Sequence, residues 1–264
     1  MTELQTVGQQ TLATGDALTL IRDLEGADFD VVVTSPPYNI GVQYASYEDN
    51  KTDDVFLEWL EDVAEGIKGV LAPQGSFFLN LAGSSTKPYL PFDVVTRLRS
   101  LFVLQNHISW VKSVDDRGHF KPVGGNRFLH RAHEHIFHLT HAGDVQLDRL
   151  AIGVPFADKS NIARRGHARD VRCRGNTWFI PYDTIQRKSE KFDHPAGFPV
   201  ALPSWCIQLH GVPGASVLDP FMGTGTTLVA AQRLGAFGMG IDMDPSYVET
   251  AKRRLEKECI SRLA

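Results

Sequence analysis

The stretch Asp30-Val31-Val32-Val33-Thr34-Ser35-Pro36-Pro37-Tyr38-Asn39 decides the architecture of this chain. Its apolar run does not alternate with polar residues. A strand of that kind is buried on both faces, as in a parallel sheet covered by helices on each side. The two prolines fix the backbone and end the run near Ser35. No regular helix takes up the Pro36 carbonyl there. That carbonyl and Ser35 Oγ are acceptors pointing out from the strand end, and Tyr38 adds a ring face. An amino group on a planar heteroaromatic base suits this trio, with two hydrogens for two acceptors and a ring to stack.

Working outward, the flanks repeat the strand–helix alternation. Asp53 or Asp54 is read as the cap of a helix through about Val70, with Val55, Phe56, Trp59, Leu60, Val63 and Ile67 at helical spacing. Ala72-Pro73-Gln74-Gly75 is expected to end it before a strand at Ser76–Leu81. A helix over Pro91–Ser100 and a strand over Val103–Val111 follow. A second half begins near His194, with a helix over Leu202–Leu209, a strand over Ser216–Phe221 and a helix to about Leu234. The strand Gly238–Asp242 and a last helix from Pro245 to about Cys259 complete it. Such alternation implies an α/β fold with a doubly wound, mostly parallel sheet.

The second half carries its own site. In Asp219-Pro220-Phe221-Met222-Gly223-Thr224-Gly225-Thr226-Thr227 a strand runs into a glycine turn and a helix. Glycines there let the backbone approach a ligand closely, and a helix N-terminus offers free N–H groups. Asp242 ends the next strand, where a carboxylate can accept from two ribose hydroxyls. The stretch is not a dinucleotide fingerprint, because Leu228 stands where the third glycine would be. Nor is it a phosphate loop, since no Gly-Lys-Ser/Thr follows. A ligand with an adenosine and no phosphates fits better than NAD or ATP.

Charge is uneven over the 264 residues. From Lys112 to Lys191 there are 15 Lys and Arg against 9 Asp and Glu, while the rest of the chain has 12 against 22. The densest basic part runs from Arg149 to Arg174, which points to a polyanion partner. Residues 151–175 have little periodicity and many Arg and Gly, and are read as a loop-rich insertion between catalytic segments 1–150 and 176–264. Cys173, Cys206 and Cys259 are widely separated, which argues against a disulfide framework. No apolar stretch is long enough for a membrane span, and Met1–Thr6 has no signal-peptide pattern. A cytoplasmic location is therefore expected. His130, His133, His135, His138 and His141 crowd one stretch, but Phe137 breaks the H-E-x-x-H zinc signature begun at His133-Glu134. A strand with polar ends is the simpler reading.

With both motifs in place, the chain resembles the S-adenosylmethionine-dependent amino DNA methyltransferases, which modify N6 of adenine or N4 of cytosine. Their catalytic signature, (Asp/Asn/Ser)-Pro-Pro-(Tyr/Phe), is matched by Ser35, Pro36, Pro37 and Tyr38. Their cofactor signature, Asp-Pro-Phe-x-Gly-x-Gly-Thr-Thr, is matched by Asp219, Pro220, Phe221, Gly223, Gly225, Thr226 and Thr227. The catalytic motif comes first and the cofactor motif second, with the basic segment between. This permuted order is similar to the β class, whose target-recognition region lies in that gap. Gly15-Asp16-Ala17 resembles the family motif whose Asp contacts the cofactor adenine. His194-Pro195-Ala196-Gly197-Phe198-Pro199 resembles the family's His-Pro-x-x-Lys-Pro segment, with Phe198 in place of Lys. The resemblance thus adds Asp16, Ala17, Thr34, His194, Phe198 and Pro199 to Asp242 as cofactor residues.

What the resemblance implies is direct methyl transfer to the exocyclic amine of a base flipped out of double-stranded DNA, with no metal. Ser35 and the Pro36 carbonyl would hold the amine, Tyr38 would stack on the base, and the proton would leave to solvent. Lys121, Arg127, Arg164, Arg165, Arg169, Arg172 and Arg174 become candidates for DNA contact. A homodimer is expected, as is frequent in the β class. The stretch Thr34–Gly41 resembles the adenine enzymes more, so N6 of adenine is favoured and N4 of cytosine is the alternative. An RNA or protein amine methyltransferase, and a non-catalytic nucleic-acid-binding module, are the competing classes.

Overall fold

Alternate residues of the central strands go to opposite faces of one sheet, as the unbroken apolar runs require. The computed structural model describes residues 4–41, 47, 49–112, 127–129, 131–160, 162, 170–181 and 197–261. Its strands are β1 (Leu4–Val7), β2 (Gln10–Thr14), β3 (Phe29–Thr34), β4 (Leu71–Leu81), β5 (Val103–Val111), β6 (His133–Thr140), β7 (Thr177–Phe179), β8 (Ser216–Asp219) and β9 (Phe237–Asp242). They form a sheet in the order β1-β2-β9-β8-β3-β4-β6-β5-β7. The pairs from β2 through β9, β8 and β3 to β4 are parallel, as is β5 with β7. β1 with β2, and β6 with both β4 and β5, are antiparallel. The sheet is therefore parallel around β3 and β8, and mixed toward both edges.

Helices cover it: α1 (Ala17–Asp23), α2 (Asp53–Val70), α3 (Leu90–Arg97), α4 (Ala201–His210), α5 (Thr226–Leu234) and α6 (Pro245–Ser261). Val32, Phe77, Leu79 and Leu218 pack with Ile21, Phe56, Leu60 and Val94, the core under α1, α2 and α3. Val31, Val33, Phe78 and Val217 pack with Leu202, Cys206 and Ala230 on the other face. Each such fully buried Val, Leu, Ile or Phe side chain contributes roughly 1.5–3 kcal/mol. Two helix-covered faces make the fold doubly wound, as the sequence predicts.

Several boundaries differ from expectation. α2 starts at Asp53, but its cap Thr52 makes no side-chain cap bond, and Asp53 instead bonds Asn39 and Lys87. Val55, counted on the apolar face, is exposed, whereas Phe56, Leu60, Val63 and Ile67 are buried. The Ala72–Gly75 segment does not separate helix from strand. β4 begins at Leu71, and the β3–β4 register shifts between Phe29 and Val31 to take up those residues. The helix read over Pro91–Ser100 ends at Arg97 and tightens into a 3-10 turn over Leu98–Ser100. The β1–β2 hairpin, α1 and β7 go beyond the sequence reading, because short half-exposed elements carry little periodic signal. The insertion is also less detached than its sequence suggests. Ile152 is buried in the second core, and Val154 bridges Arg172.

Candidate active site

The carboxyl ends of β3, β8 and β9 lie side by side, so the two motifs meet although they are far apart in sequence. Thr34 Oγ1 donates to Asp219 Oδ1 at 2.7 Å, tying the end of β3 to the end of β8. Asp219 also accepts from Phe221 N at 3.1 Å and from Thr227 Oγ1 at 2.6 Å. Burial pushes its carboxyl up to about 6, against the pull of the two threonine hydroxyls. Asp219 and Thr34 are both sealed from solvent. Together they hold the frame on which a ligand would rest.

The turn after Asp219 depends on glycine. Gly223 and Gly225 have φ of 52° and 78°, in the left-handed region that disfavours a side chain. A Cβ on Gly225 would also sit 2.7 Å from Ala251 Cβ, so the turn can seat against α6 only with glycine there. Arg254 of α6 clamps the same turn, donating to Thr224 O at 2.6 Å and to Thr226 Oγ1 at 3.1 Å. Asp242, at the end of β9, accepts from Gly223 N and Asp244 N, each at 2.9 Å. Burial raises its carboxyl to about 6 as well. A carboxylate oxygen has two lone pairs, so Asp242 keeps capacity for ligand hydroxyls.

Asp16 stands next to this edge, since Gly15 N donates to Asp242 O at 2.9 Å. Its Oδ1 caps α1, accepting from Thr19 N and Thr19 Oγ1 at 2.9 Å each. Ala17 is buried on α1. The Trp59 ring lies 5.5 Å from Phe221 and 5.8 Å from Tyr47, so Trp59 and Tyr47, which the sequence does not assign to the site, extend an aromatic wall from Phe221.

On the catalytic side, Asn39 follows Tyr38 with φ of 55°. Buried Asp49 holds that conformation, accepting from Asn39 N at 2.6 Å and Ile40 N at 3.2 Å. Ser35 Oγ and Tyr38 Oη are 2.6 Å apart. Three further residues join them. Asn80, near the end of β4, donates to Tyr38 Oη at 2.6 Å and to Glu134 Oε2 at 2.8 Å. Tyr38 Oη donates to Glu134 Oε2 at 3.2 Å. Lys112 pairs with Glu134 Oε1 and lies 5.1 Å from the Trp110 ring centroid. Asn80 is legible in sequence as a lone amide in an apolar strand. Glu134 stands out only within the broken zinc signature.

The remaining candidates divide. His194, Lys121, Arg164, Arg165 and Arg169 lie outside the described residues. Phe198 packs against the second core and Pro199 is buried. Arg172 and Arg127 are exposed, the latter over the Phe128 ring at 5.5 Å. Arg174 departs from the expectation of a solvent-facing cation. Its guanidinium stacks 4.0 Å from the Trp205 ring centroid, and Nε donates to Ile152 O at 2.8 Å.

The chain matches known proteins along most of its length. A family model described as DNA methylase matches residues 29–253. The DNA adenine methyltransferase YhdJ of Escherichia coli K12 is 27% identical over 259 residues, covering 94% of this chain and 83% of its own. A putative DNA modification methylase of Thermus thermophilus, solved with S-adenosyl-L-methionine, superposes with a TM-score of 0.64. It is 26% identical, with 94% and 93% of the two chains covered. The PvuII cytosine-N4-specific DNA methyltransferase shares the fold at a TM-score of 0.73 and 19% identity, with 96% and 92% covered.

Proposed function

The chain belongs to the N6/N4 DNA methylase family, and from that premise we propose that it methylates N6 of adenine in duplex DNA, using S-adenosylmethionine. The observation that carries this reading is the 2.7 Å bond from Thr34 to Asp219, which joins an amine-binding strand end to an adenosine-binding turn. The residues on that edge suit the cofactor. Asp242 offers a carboxylate for ribose hydroxyls, and the turn at Gly223–Thr227 offers backbone in close approach. Asp16, Phe221 and Pro199 complete the proposed pocket, with Phe198 beside the methionine part. When bound, the cofactor supplies a sulfonium methyl as electrophile.

The chain's own residues prepare the nucleophile. An exocyclic amine is weak because its lone pair is delocalised into the ring. Ser35 Oγ and the Pro36 carbonyl accept its two hydrogens and favour a pyramidal nitrogen with a localised pair. Holding that nitrogen in line with the methyl converts an encounter into an intramolecular step. Inside a duplex the amine is paired and stacked, so the base is extruded and its ring rests on Tyr38. Arg127, Arg172 and the basic residues of 151–175 other than Arg174 supply phosphate contacts.

N4 of cytosine is the alternative, favoured by the serine in the catalytic motif. The test is methyl transfer from labelled S-adenosylmethionine to unmethylated plasmid DNA, followed by digestion and identification of the modified nucleoside. N6-methyladenine is expected. N4-methylcytosine would replace the proposed base, and label found only in RNA or protein would reject the DNA reading. We also propose a homodimer, in keeping with the two-fold symmetry of palindromic DNA sites. Light scattering that returned the monomer mass would reject it.

A further inference from the structure

Glu134 is nine-tenths buried at the amino end of β6, beside the carboxyl end of β4. As a carboxylate it only accepts, so the hydrogen bonds of Asn80 and Tyr38 to it run toward it. The Asn80 amide nitrogen faces Glu134 Oε2, because an amide oxygen there would oppose a carboxylate. The cost of that orientation is visible, since Asn80 Oδ1 is buried with no partner among the described residues. Asn80 Nδ2 also donates to Tyr38 Oη, so Tyr38 directs its own proton onward, to Glu134 Oε2. Ser35 Oγ, 2.6 Å from Tyr38 Oη, then donates to Tyr38. The hydroxyl proton of Ser35 is thus turned away from the strand end; Asn80 Nδ2 also reaches Ser35 Oγ at 3.4 Å, and the remaining lone pair is left for an incoming amine. Lys112, paired with Glu134 Oε1, holds the carboxylate at the far end of the line.

We infer that Glu134 is a positioning residue that polarises Ser35 through Tyr38 and receives the proton released by methyl transfer. In that transfer the amine nitrogen forms a bond to the methyl carbon, and the carbon–sulfur pair returns to sulfur. The nitrogen is left cationic with a proton to lose. It passes that proton to Ser35 Oγ, Ser35 passes its own to Tyr38 Oη, and Tyr38 passes its own to Glu134 Oε2. An alkylated ammonium of this kind is far more acidic than a carboxylic acid, so the relay runs downhill. Glu134 then returns the proton to water. This route replaces direct loss of the proton to solvent from the serine.

The inference rests on the methyltransferase reading, and the test separates the two. In cofactor-free protein, the ¹³Cζ resonance of Tyr38, assigned with Tyr38→Phe, should move in Glu134→Gln because the charged acceptor is lost. Single-turnover methylation of unmethylated plasmid DNA with tritiated S-adenosylmethionine should slow by roughly 10²-fold, the low end for a positioned proton acceptor. Cofactor affinity by calorimetry should be unchanged. The double variant Tyr38→Phe/Glu134→Gln should be no slower than the slower single variant, and Glu134→Asp should recover part of the rate. An unmoved resonance, an undiminished rate, or losses that multiply in the double variant would overturn the relay. If Glu134→Gln does not fold, the resonance and rate of Glu134→Asp decide the matter: no change in either refutes it. A wild-type enzyme that methylates no DNA would instead sink the methyltransferase reading itself.

Discussion

The two ends of the proposed active-site edge, one for the cofactor and one for catalysis, are built by opposite means. The cofactor end, at β8 and β9, is made largely of backbone: a turn with two left-handed glycines, braced by Asp219, Asp242 and Arg254. The catalytic end, at β3, β4 and β6, is made of side chains that converge from separate strands on Ser35 and Tyr38. The difference teaches where each end is vulnerable. A backbone cradle grips a ligand whose shape is constant, and damage to it should appear as lost affinity. A side-chain network acts on a base that enters and leaves, and damage there should appear as lost rate.

Tyr38→Ala is the strongest test of that division. It removes both the stacking face and the hydroxyl between Ser35 and Glu134. Misplacing the amine by about an ångström costs on the order of 10²-fold. Turnover on plasmid DNA should fall by at least that much, with cofactor affinity near wild type. Equal losses in both quantities would erase the distinction between the two ends.

At the other end, Asp242→Ala should spare the catalytic network and weaken the cofactor. A hydrogen bond to a charged group is worth about 1.5–3 kcal/mol, so calorimetry should show a loss of roughly 10- to 100-fold. The pH dependence gives a finer check. The half-buried Asp242 carboxyl is raised to about 6 and accepts best when ionised. Cofactor affinity should therefore decline as pH falls through that value, and Asp242→Asn should flatten the profile. An equally steep profile in the variant would assign the effect to Asp219, which titrates in the same range.

The same division explains what the sequence could disclose. Backbone function is written in contiguous Gly and Pro, so Ser35–Tyr38 and Asp219–Thr227 were legible, and the parallel core followed from the apolar runs beside them. Side-chain convergence is not contiguous. Asn80, Lys112 and Glu134 come from separate parts of the chain, and only the antiparallel turn of β6 against β4 and β5 brings them to one place. Nothing local marks that pairing. Arg174 misled for a related reason: an Arg-rich run reads as a solvated face, and the stacking of one member on Trp205 depends on a helix that comes later in the chain.

The catalytic half should also be the acid-sensitive one. His138 lies under it, with Nδ1 3.0 Å from Asn106 Nδ2 and Nε2 3.0 Å from Ser76 Oγ, which His210 Nδ1 also meets at 3.0 Å. Burial, with His210 nearby, lowers its pKa to about 4. The folded state thus holds a neutral ring that the unfolded chain protonates near pH 6.5. The stabilisation is complete above that value and is lost as pH falls toward 4, on the order of 2 kcal/mol by pH 5. Asp219 and Asp242 act in the reverse sense, because their raised values favour folding as pH falls through 6. Denaturant titrations from pH 7 to 5 should show wild type losing stability relative to His138→Gln, by on the order of 2 kcal/mol at pH 5. Parallel slopes in the two proteins would remove His138 as the cause.

The smallest effect separates two arginines of the basic insertion, which the comparison of halves leaves to one side. Arg172 is exposed on the bridge to Val154, and Arg174 is stacked on Trp205 with Nε bonded to Ile152 O. An exposed arginine that contacts a phosphate releases about one counterion, so Arg172→Ala should lower the salt slope of DNA binding by about one unit. Its folding stability should not change. Arg174→Ala should do the reverse, losing about 0.5–2 kcal/mol of stability from the stacked cation, with the salt slope unaltered. Both quantities come from fluorescence measurements, denaturant titration for one and DNA binding across salt for the other. A drop in salt slope for Arg174→Ala would show that its guanidinium leaves Trp205 for the DNA, and the insertion would then be rooted by Ile152 and the Val154–Arg172 bridge alone.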